Sequence, residues 1–152
     1  MIRNYGGVAA VPDAVDLPQA GMKLVLDVTA DTMPTDKINK GLDRAARIIN
    51  LAGLGGLKPG DVRLTVVLHG EATGCVLTDA AWQARWQTSH NPHLPLIRAL
   101  QNVGVEVIVC GQALAYKKIP RSEVAENIPV AAAAFIVVAN RHAGGYVSMQ
   151  VL

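Results

Sequence analysis

Aromatic residues make up only 4% of the 152-residue chain, whereas hydrophobic residues of all kinds make up 51%. A hydrophobic core must therefore consist mainly of valine, leucine, isoleucine and alanine. This composition favours a parallel sheet covered by helices over an aromatic-rich β-sandwich. The chain is long enough to form one domain with a substantial core.

Long apolar runs are also missing, so the sequence predicts no membrane-spanning segment. No basic run is interleaved with aromatic residues, and the formal net charge is only +2. Nucleic-acid binding therefore has no support from the sequence. Phosphate-cradling glycine motifs are absent as well, because Gly53, Gly55 and Gly56 follow a predicted helix instead of opening one. We expect no cofactor.

The two cysteines, Cys75 and Cys110, are too few for a disulfide framework. The sequence leaves two alternatives for them, a single disulfide or a redox switch that pairs them. Packing is the favoured role for Cys75. The pattern His90-x-x-His93 is a weak metal motif, because Pro92 interrupts it and no cysteine pair accompanies it. We therefore predict no metal site.

Residues 1–21 are rich in glycine, alanine and proline and are interpreted as an extended N-terminal arm before a single domain over residues 22–152. They contain neither a basic leader nor an apolar segment of a signal peptide. A cytoplasmic location is the default expectation. A periplasmic location is the alternative, if Met1 replaces a removed leader.

Predicted strands and helices alternate along the rest of the chain, as in proteins with a mostly parallel sheet. We predict strands over residues 23–29, 62–68, 105–110, 128–130 and 146–151. Predicted helices cover residues 36–52, 78–87, 91–103 and 131–142, with short helical turns over 112–116 and 121–126. Thr35 and Asn91 are the expected N-caps of the first and third helices. Trp82 and Trp86, one helical turn apart, are expected to pack as a ridge.

Cys110 lies where the third predicted strand ends and a helical turn begins. Ligands of parallel sheets bind beyond the carboxyl ends of the strands. The N–H groups at the start of a helix favour a thiolate, which is the nucleophilic form of cysteine. The sequence therefore makes Cys110 a candidate nucleophile, with a small buried hydrophobe as the alternative interpretation.

His69 ends the second predicted strand, next to Cys110 if consecutive strands are neighbours in the sheet. It is a candidate partner that forms an ion pair with the thiolate or moves its proton, or else a histidine bonded to a loop. Candidate ligand-binding residues follow the first three strands: Thr29, Asp31, Gly70, Glu71, Gly111 and Gln112. Acidic side chains among them disfavour a thiolate, which argues against a very reactive cysteine.

Several segments together resemble the DsrE/DsrF-like family. Gly104-Val105-Glu106-Val107, Cys110, Ala113-Leu114 and Gly145-Tyr146 are similar to the cysteine segment and the last strand of that family. The segments Leu26-Asp27-Val28-Thr29, Gly41-Leu42, His69-Gly70 and Asn91-Pro92 resemble its single-domain branch. The likeness extends from about Lys23 to Leu152 and rests on the order and spacing of the motifs.

This resemblance implies a three-layer α/β/α sandwich on a five-stranded sheet, and assembly into a homo-oligomer, either a trimer or a hexamer. It also implies that Cys110 carries sulfur as a persulfide between donor and acceptor proteins of bacterial sulfur metabolism, so that the protein is at most a sulfurtransferase-type carrier. Many members have no known activity. A non-enzymatic module for small-ligand binding or assembly is therefore the alternative, and a Cys75/Cys110 redox switch is a weaker one.

Overall fold

The computed structural model describes all residues from Met1 to Leu152. Five strands form one sheet: β1 (Lys23–Val28), β2 (Arg63–Leu68), β3 (Glu106–Cys110), β4 (Val130–Ala131) and β5 (Val147–Val151). Their order is β4-β3-β2-β1-β5, and all neighbouring strands run parallel. The predicted α/β fold and the neighbouring positions of the second and third strands are confirmed.

Five α-helices connect or flank the strands: α1 (Lys40–Leu54), α2 (Asp79–Trp86), α3 (Leu94–Asn102), α4 (Gly111–Tyr116) and α5 (Ala134–Ala143). Two 3-10 helices cover Gly70–Val76 and Arg121–Glu123. Helices α1 and α3 pack on one face of the sheet in a cluster of 28 buried hydrophobic residues, whereas α5 packs on the other face in a cluster of six. The three layers are therefore unequal, with a thick core on one side.

Helix α1 begins at Lys40, four residues later than predicted. Asn39 is its N-cap instead of Thr35, and the Asn39 side chain accepts hydrogen bonds from the N–H groups of Gly41 and Leu42. The same side chain donates to the carbonyl of Ala30. This contact with the loop after β1 selects Asn39 as the cap.

Helix α3 also begins later than predicted, at Leu94 after the N-cap His93. The Asn91 side chain accepts from the His93 N–H and donates to the carbonyls of Cys75 and Leu77. The Asn91 side chain therefore holds the loop before α3 against Cys75 and Leu77 by hydrogen bonds, and Asn91 is not the N-cap of the helix.

Helix α5 begins at Ala134, three residues later than predicted, and Ala131 instead pairs with Cys110 in the sheet. Strand β4 is therefore shifted from the predicted residues 128–130 to Val130–Ala131. The tryptophan ridge on α2 is confirmed: the ring centroids of Trp82 and Trp86 are 4.1 Å apart, and Trp82 is fully buried.

The start of the N-terminal arm packs on its own domain. Ile2 is buried in the main core, and the amide of Asn50 on α1 contacts the backbone of Ile2, Tyr5 and Gly6. Farther along, Val15 is fully exposed. The arm predicted over residues 1–21 thus consists of an anchored beginning and an exposed later part.

Candidate functional site

A cavity of about 490 Å³ opens at the carboxyl ends of β1, β2 and β3. These ends meet at one edge of the sheet because the three strands are adjacent and parallel. Cys110, the last residue of β3, lies in the cavity wall and is 5% exposed. The cavity volume is in the range of small-ligand sites.

Two backbone N–H groups donate to the Cys110 sulfur. Cys110 is the N-cap of α4, and its Sγ accepts from Ala113 N at 3.4 Å. Ala134 N, the first residue of α5, donates to the same atom from 3.3 Å. N–H dipoles that point at one atom stabilise negative charge on it. The starts of two helices thus converge on the sulfur.

Gly111 permits this convergence. A Cβ at this position would lie 2.6 Å from the carbonyl oxygen of Ala131, which is closer than atoms can pack. The absence of a side chain lets the segment between β4 and α5 approach the start of α4. The missing side chain of Gly111 therefore allows the backbone of Ala131 to pack against the start of α4, next to Cys110.

His69 and Asp27 form a second pair in the same cavity. His69 follows β2, and its Nε2 lies 2.5 Å from Oδ1 of Asp27 on β1. The register of the two strands, which pairs Val28 with Leu68, brings the two side chains together. If Nε2 donates to the carboxylate, Nδ1 is left as the ring nitrogen that can exchange a proton with a ligand.

The rim of the cavity combines one ion pair with apolar groups. Lys117 Nζ lies 3.1 Å from Glu71 Oε1. Tyr116 and Phe135 are 88% and 72% exposed, respectively. The remaining lining is mostly small or apolar: Ala113, Ala133, Ala134 and Val138.

The structure brings most of the predicted site residues together. Gly70, Glu71 and Gln112 line the cavity with Cys110 and His69. Thr29 lies behind Gly70, a residue with a φ of +54° that a side chain would strain. Asp31 does not line this cavity. It borders an adjacent cavity of about 290 Å³, which shares Glu71 and Lys117 with the first.

Sequence reasoning missed Asp27 and Lys117 as site residues. Asp27 carries a detectable signal, since it is the single acidic residue of β1 and lies between the apolar Leu26 and Val28. Such a residue is buried only with a partner, and here the partner is His69. Lys117 carries no comparable signal, because it is one of two adjacent lysines that follow a short helix.

Cys75 lies apart from the site. It is fully buried in the main hydrophobic cluster, whereas Cys110 belongs to the cluster under α5, and neither cysteine forms a disulfide. Burial raises the pKa of the Cys75 thiol far above its usual range. These positions support the packing role of Cys75 and argue against its pairing with Cys110.

No metal centre is evident. His93 is fully buried, its Nδ1 lies 2.9 Å from Asn91 Oδ1, and His90 is exposed next to Ser89. Nowhere in the chain do three or more His, Cys, Asp or Glu side chains form a group that could hold a metal ion. None of the helices has the length and apolar character needed to cross a membrane.

The sequence profile of the DsrE/DsrF-like family matches residues 22–147. The chain belongs to this family. No curated protein matches it significantly in sequence. The matched segment contains strands β1 to β4, the first residue of β5 and every residue that lines the cavity, and it leaves out the N-terminal arm.

Two solved structures show the same fold. A protein of unknown function from Methanobacterium thermoautotrophicum, MTH1491, superimposes with a TM-score of 0.62 at 16% identity. The ychN protein from E. coli superimposes with a TM-score of 0.55 at 13% identity. Each comparison covers 86% of this chain and 99% of the other chain. The α/β sandwich expected from the family resemblance is therefore confirmed.

Proposed function

We propose that this DsrE-like protein carries sulfur as a persulfide on Cys110. The observation that carries the proposal is the position of the Cys110 sulfur, which accepts N–H groups from the starts of α4 and α5 at the wall of an open cavity. The same N–H groups stabilise a thiolate before sulfur is loaded and the leaving thiolate when it is unloaded.

The proposed reaction is a transfer of one sulfur atom in two displacements. In the first, the Cys110 thiolate attacks the outer sulfur of a donor persulfide R–S–SH. The new Cys110 S–S bond forms as the donor S–S bond breaks, and the donor leaves as the thiolate R–S⁻. In the second, an acceptor thiolate attacks the outer sulfur and releases the Cys110 thiolate. The two steps consume no external oxidant or reductant.

His69 has the role of proton carrier in this proposal. It lies in the cavity with Cys110 and is oriented by Asp27 through the 2.5 Å contact. A positioned histidine can accept the proton of an incoming thiol and return it to a leaving thiolate. Asp27 is a positioning residue, because it acts on the reaction through His69.

Intact-mass measurement tests the proposal directly. The protein is incubated with a low-molecular-weight persulfide donor, and we expect a mass gain of one sulfur atom that a reductant removes. The Cys110→Ser variant should show no gain, whereas Cys75→Ser should behave like the wild type because Cys75 is buried away from the cavity. No gain in the wild type, or an equal gain in Cys110→Ser, would falsify the proposal.

A binding or assembly module is the second candidate, and the low exposure of Cys110, 5%, favours it. In that role the cavity holds a small molecule and the thiol is a packing group. Alkylation of the folded protein at neutral pH separates the two functions. A carrier cysteine reacts at a rate at least comparable with that of a cysteine in a short peptide, whereas a packing cysteine reacts far more slowly.

A further inference from the structure

A second cavity lies between the N-terminal arm and the carboxyl-terminal end of α1. Its volume is about 540 Å³, and it shares no lining residue with the Cys110 cavity. Eight arm residues between Ala9 and Pro18 form most of its wall, and Met22 and three residues at the end of α1 complete it. The volume lies in the range of small-ligand sites, so this cavity is a candidate binding site that does not depend on the proposed sulfur chemistry.

The arm crosses this cavity as a strap that is fixed at both ends. At one end the Asn50 side chain holds the backbone of residues 2–6, and at the other end Gly21 N donates to the Asp61 carbonyl at 2.7 Å. No hydrogen bond joins residues 7–18 to the domain. Pro12 and Pro18 also lack the N–H group that regular structure would need. The strap can therefore shift relative to α1 without breaking hydrogen bonds to the domain.

The two walls of the cavity are apolar and in contact with solvent. Val11 and Leu17 are exposed on the strap, and both line the cavity. Leu51 and Leu54 are exposed on α1 and line it as well. An apolar body between them would remove these side chains from water, and the gain grows with the apolar area that is buried. The walls therefore fit a hydrocarbon chain.

The electrostatic character of the cavity is negative. Asp16 is the only charged residue in its wall, and it forms no ion pair. The wall includes Gly55, the C-cap of α1, where the carbonyl groups at the helix end carry a partial negative charge. No basic residue lies in the last turn of α1 to offset this charge, and Lys58, which follows the helix, lines a different cavity.

These charges distinguish between ligands that have the same hydrocarbon chain. None of the lining side chains can donate a hydrogen bond. A carboxylate on the ligand would lose hydration here and would be repelled by Asp16. An ammonium group would be attracted by Asp16 and by the helix end. A positive head group is therefore favoured over a negative one.

We propose that this cavity binds a cationic amphiphile with one alkyl chain, taken up from solution. The chain lies between the strap and α1, and the ammonium group lies at Asp16 and the carboxyl end of α1. The family profile begins at residue 22, after the strap. The site is therefore a feature of the N-terminal segment of this chain and not of the domain that the family shares.

Calorimetric titration with decylammonium, decanol and decanoate tests the proposal, because the three ligands share one chain and differ in the head group. Each is used at pH 7, below the concentration at which it forms micelles. We expect decylammonium to bind about tenfold more tightly than decanoate, with decanol between them. Octylammonium should bind about five- to fifteenfold more weakly than decylammonium, since two fewer methylene groups are buried.

Matched variants locate the site. Asp16→Asn should remove most of the difference between decylammonium and decanoate, whereas Asp13→Asn, which changes an exposed arm carboxylate outside the cavity, should preserve it. Leu17→Ser should weaken the binding of all three ligands about three- to tenfold. Val15→Ser should have no effect, because Val15 is exposed and does not line the cavity.

The methyl signals of Leu51 and Leu54 in NMR spectra should shift when decylammonium binds. Shifts confined to residues of the Cys110 cavity would overturn the proposal, as would equal affinities for decylammonium and decanoate or affinities that ignore chain length. A loss of subunits in light scattering on addition of the ligand would show that a second copy of the chain fills the cavity. Sedimentation of the protein with phosphatidylcholine vesicles would show that a membrane surface is the partner. Either of these two results would also overturn the proposal.

Discussion

His93 is fully buried beside Trp82, with the two ring centroids 5.2 Å apart. The amide N–H groups of Asn91 donate to the carbonyls of Cys75 and Leu77. The Asn91 oxygen is therefore the atom that faces His93 Nδ1, and an oxygen can only accept, so Nδ1 carries the proton. Nε2 then carries the lone pair of the neutral ring, and no hydrogen-bond partner faces it. A proton on Nε2 would place an uncompensated charge in the core.

His93 should therefore make stability depend on pH. Burial lowers its pKa from 6.5 to about 4, against a smaller opposing effect of the Lys37 backbone. The His93 side chain therefore binds a proton more tightly in the unfolded chain than in the folded one. The contribution of neutral His93 to stability is complete above about pH 6.5 and is lost as pH falls toward 4. We expect the free energy of unfolding to fall by about 2 kcal/mol between pH 7 and pH 5.

Urea unfolding at both pH values measures this loss. The exposed His90 supplies the matched control, because His90→Gln should leave the loss unchanged. An NMR titration that shows His93 protonating near pH 6.5 in the folded protein would contradict the prediction.

Gly111→Ala tests the close approach behind the sulfur. The added methyl group would lie 2.6 Å from the Ala131 carbonyl oxygen, so the backbone between β4 and α5 must move. We expect a loss of about 1–3 kcal/mol in stability, as for other overpacked sites, and slower sulfur loading because Ala134 N moves away from Sγ. Gly7→Ala is the control, since nothing lies within 4 Å of its added Cβ. Equal unfolding midpoints for the two variants would refute this account.

The sequence predicted that Cys110 and His69 lie at one edge of the sheet. Both line the same cavity in the structure, because β2 and β3 are adjacent and parallel. Asp27 was not predicted as a site residue. Its contact with His69 depends on the register of β1 against β2, which the sequence pattern does not give. Asp31 was predicted in the site but lies beside it, because the loop after β1 turns toward the adjacent cavity. Loop paths depend on tertiary contacts that sequence patterns do not encode.

Among the secondary-structure elements, helix starts were the least predictable. Thr35 and Asn39 are both good capping residues, and only the contact of Asn39 with the Ala30 carbonyl distinguishes them. Asn91 followed by Pro92 is typical of a helix start, yet the Asn91 side chain binds the core. Strands β1, β2 and β3 were located more accurately, because each contains a largely apolar run that is typical of a buried strand, whereas the two-residue β4 is shifted from the predicted residues 128–130.

Helix α1 anchors the first residues of the chain through Asn50. Its Oδ1 accepts from Ile2 N at 2.6 Å, and its Nδ2 lies within 3.1 Å of the carbonyls of Ile2, Tyr5 and Gly6. Asn50→Ala should therefore release this segment and expose Ile2, with a loss of about 2 kcal/mol in stability. Thermal unfolding and limited proteolysis near the N-terminus measure the effect.

Asn140→Ala is the control for this prediction, since Asn140 is an exposed asparagine on α5. Similar proteolysis of the two variants would show that the Asn50 contacts do not hold the segment.

At the scale of the whole molecule, a single chain leaves a group of large apolar side chains exposed to solvent. Phe135 and Ile136 on α5 are 72% and 42% exposed, and Val147 and Met149 on the edge strand β5 are 64% and 40% exposed. Helix α5 and β5 adjoin each other. Exposed apolar groups of this kind mark interfaces between proteins.

We propose that the chain forms a closed homo-oligomer, a trimer or a hexamer, through this surface of α5 and β5. Closed symmetry is the common arrangement of identical subunits, and an edge strand left uncovered would invite uncontrolled pairing. Light scattering should give a single species of three or six chains at micromolar concentration. A monodisperse monomer would contradict the proposal.

Substitutions distinguish the interface from the arm. Ile136→Lys together with Val147→Lys should convert the oligomer to monomers, because two charges would be buried without partners. The later part of the arm also exposes apolar side chains, including Val11, Val15 and Leu17. Replacing these three residues by serine keeps the anchored residues 1–6 intact, unlike removal of residues 1–20, which would also take Ile2 from the core. A loss of assembly in the serine variant alone would place the subunit contact in the arm, whereas a loss in the lysine variant alone would place it on α5 and β5.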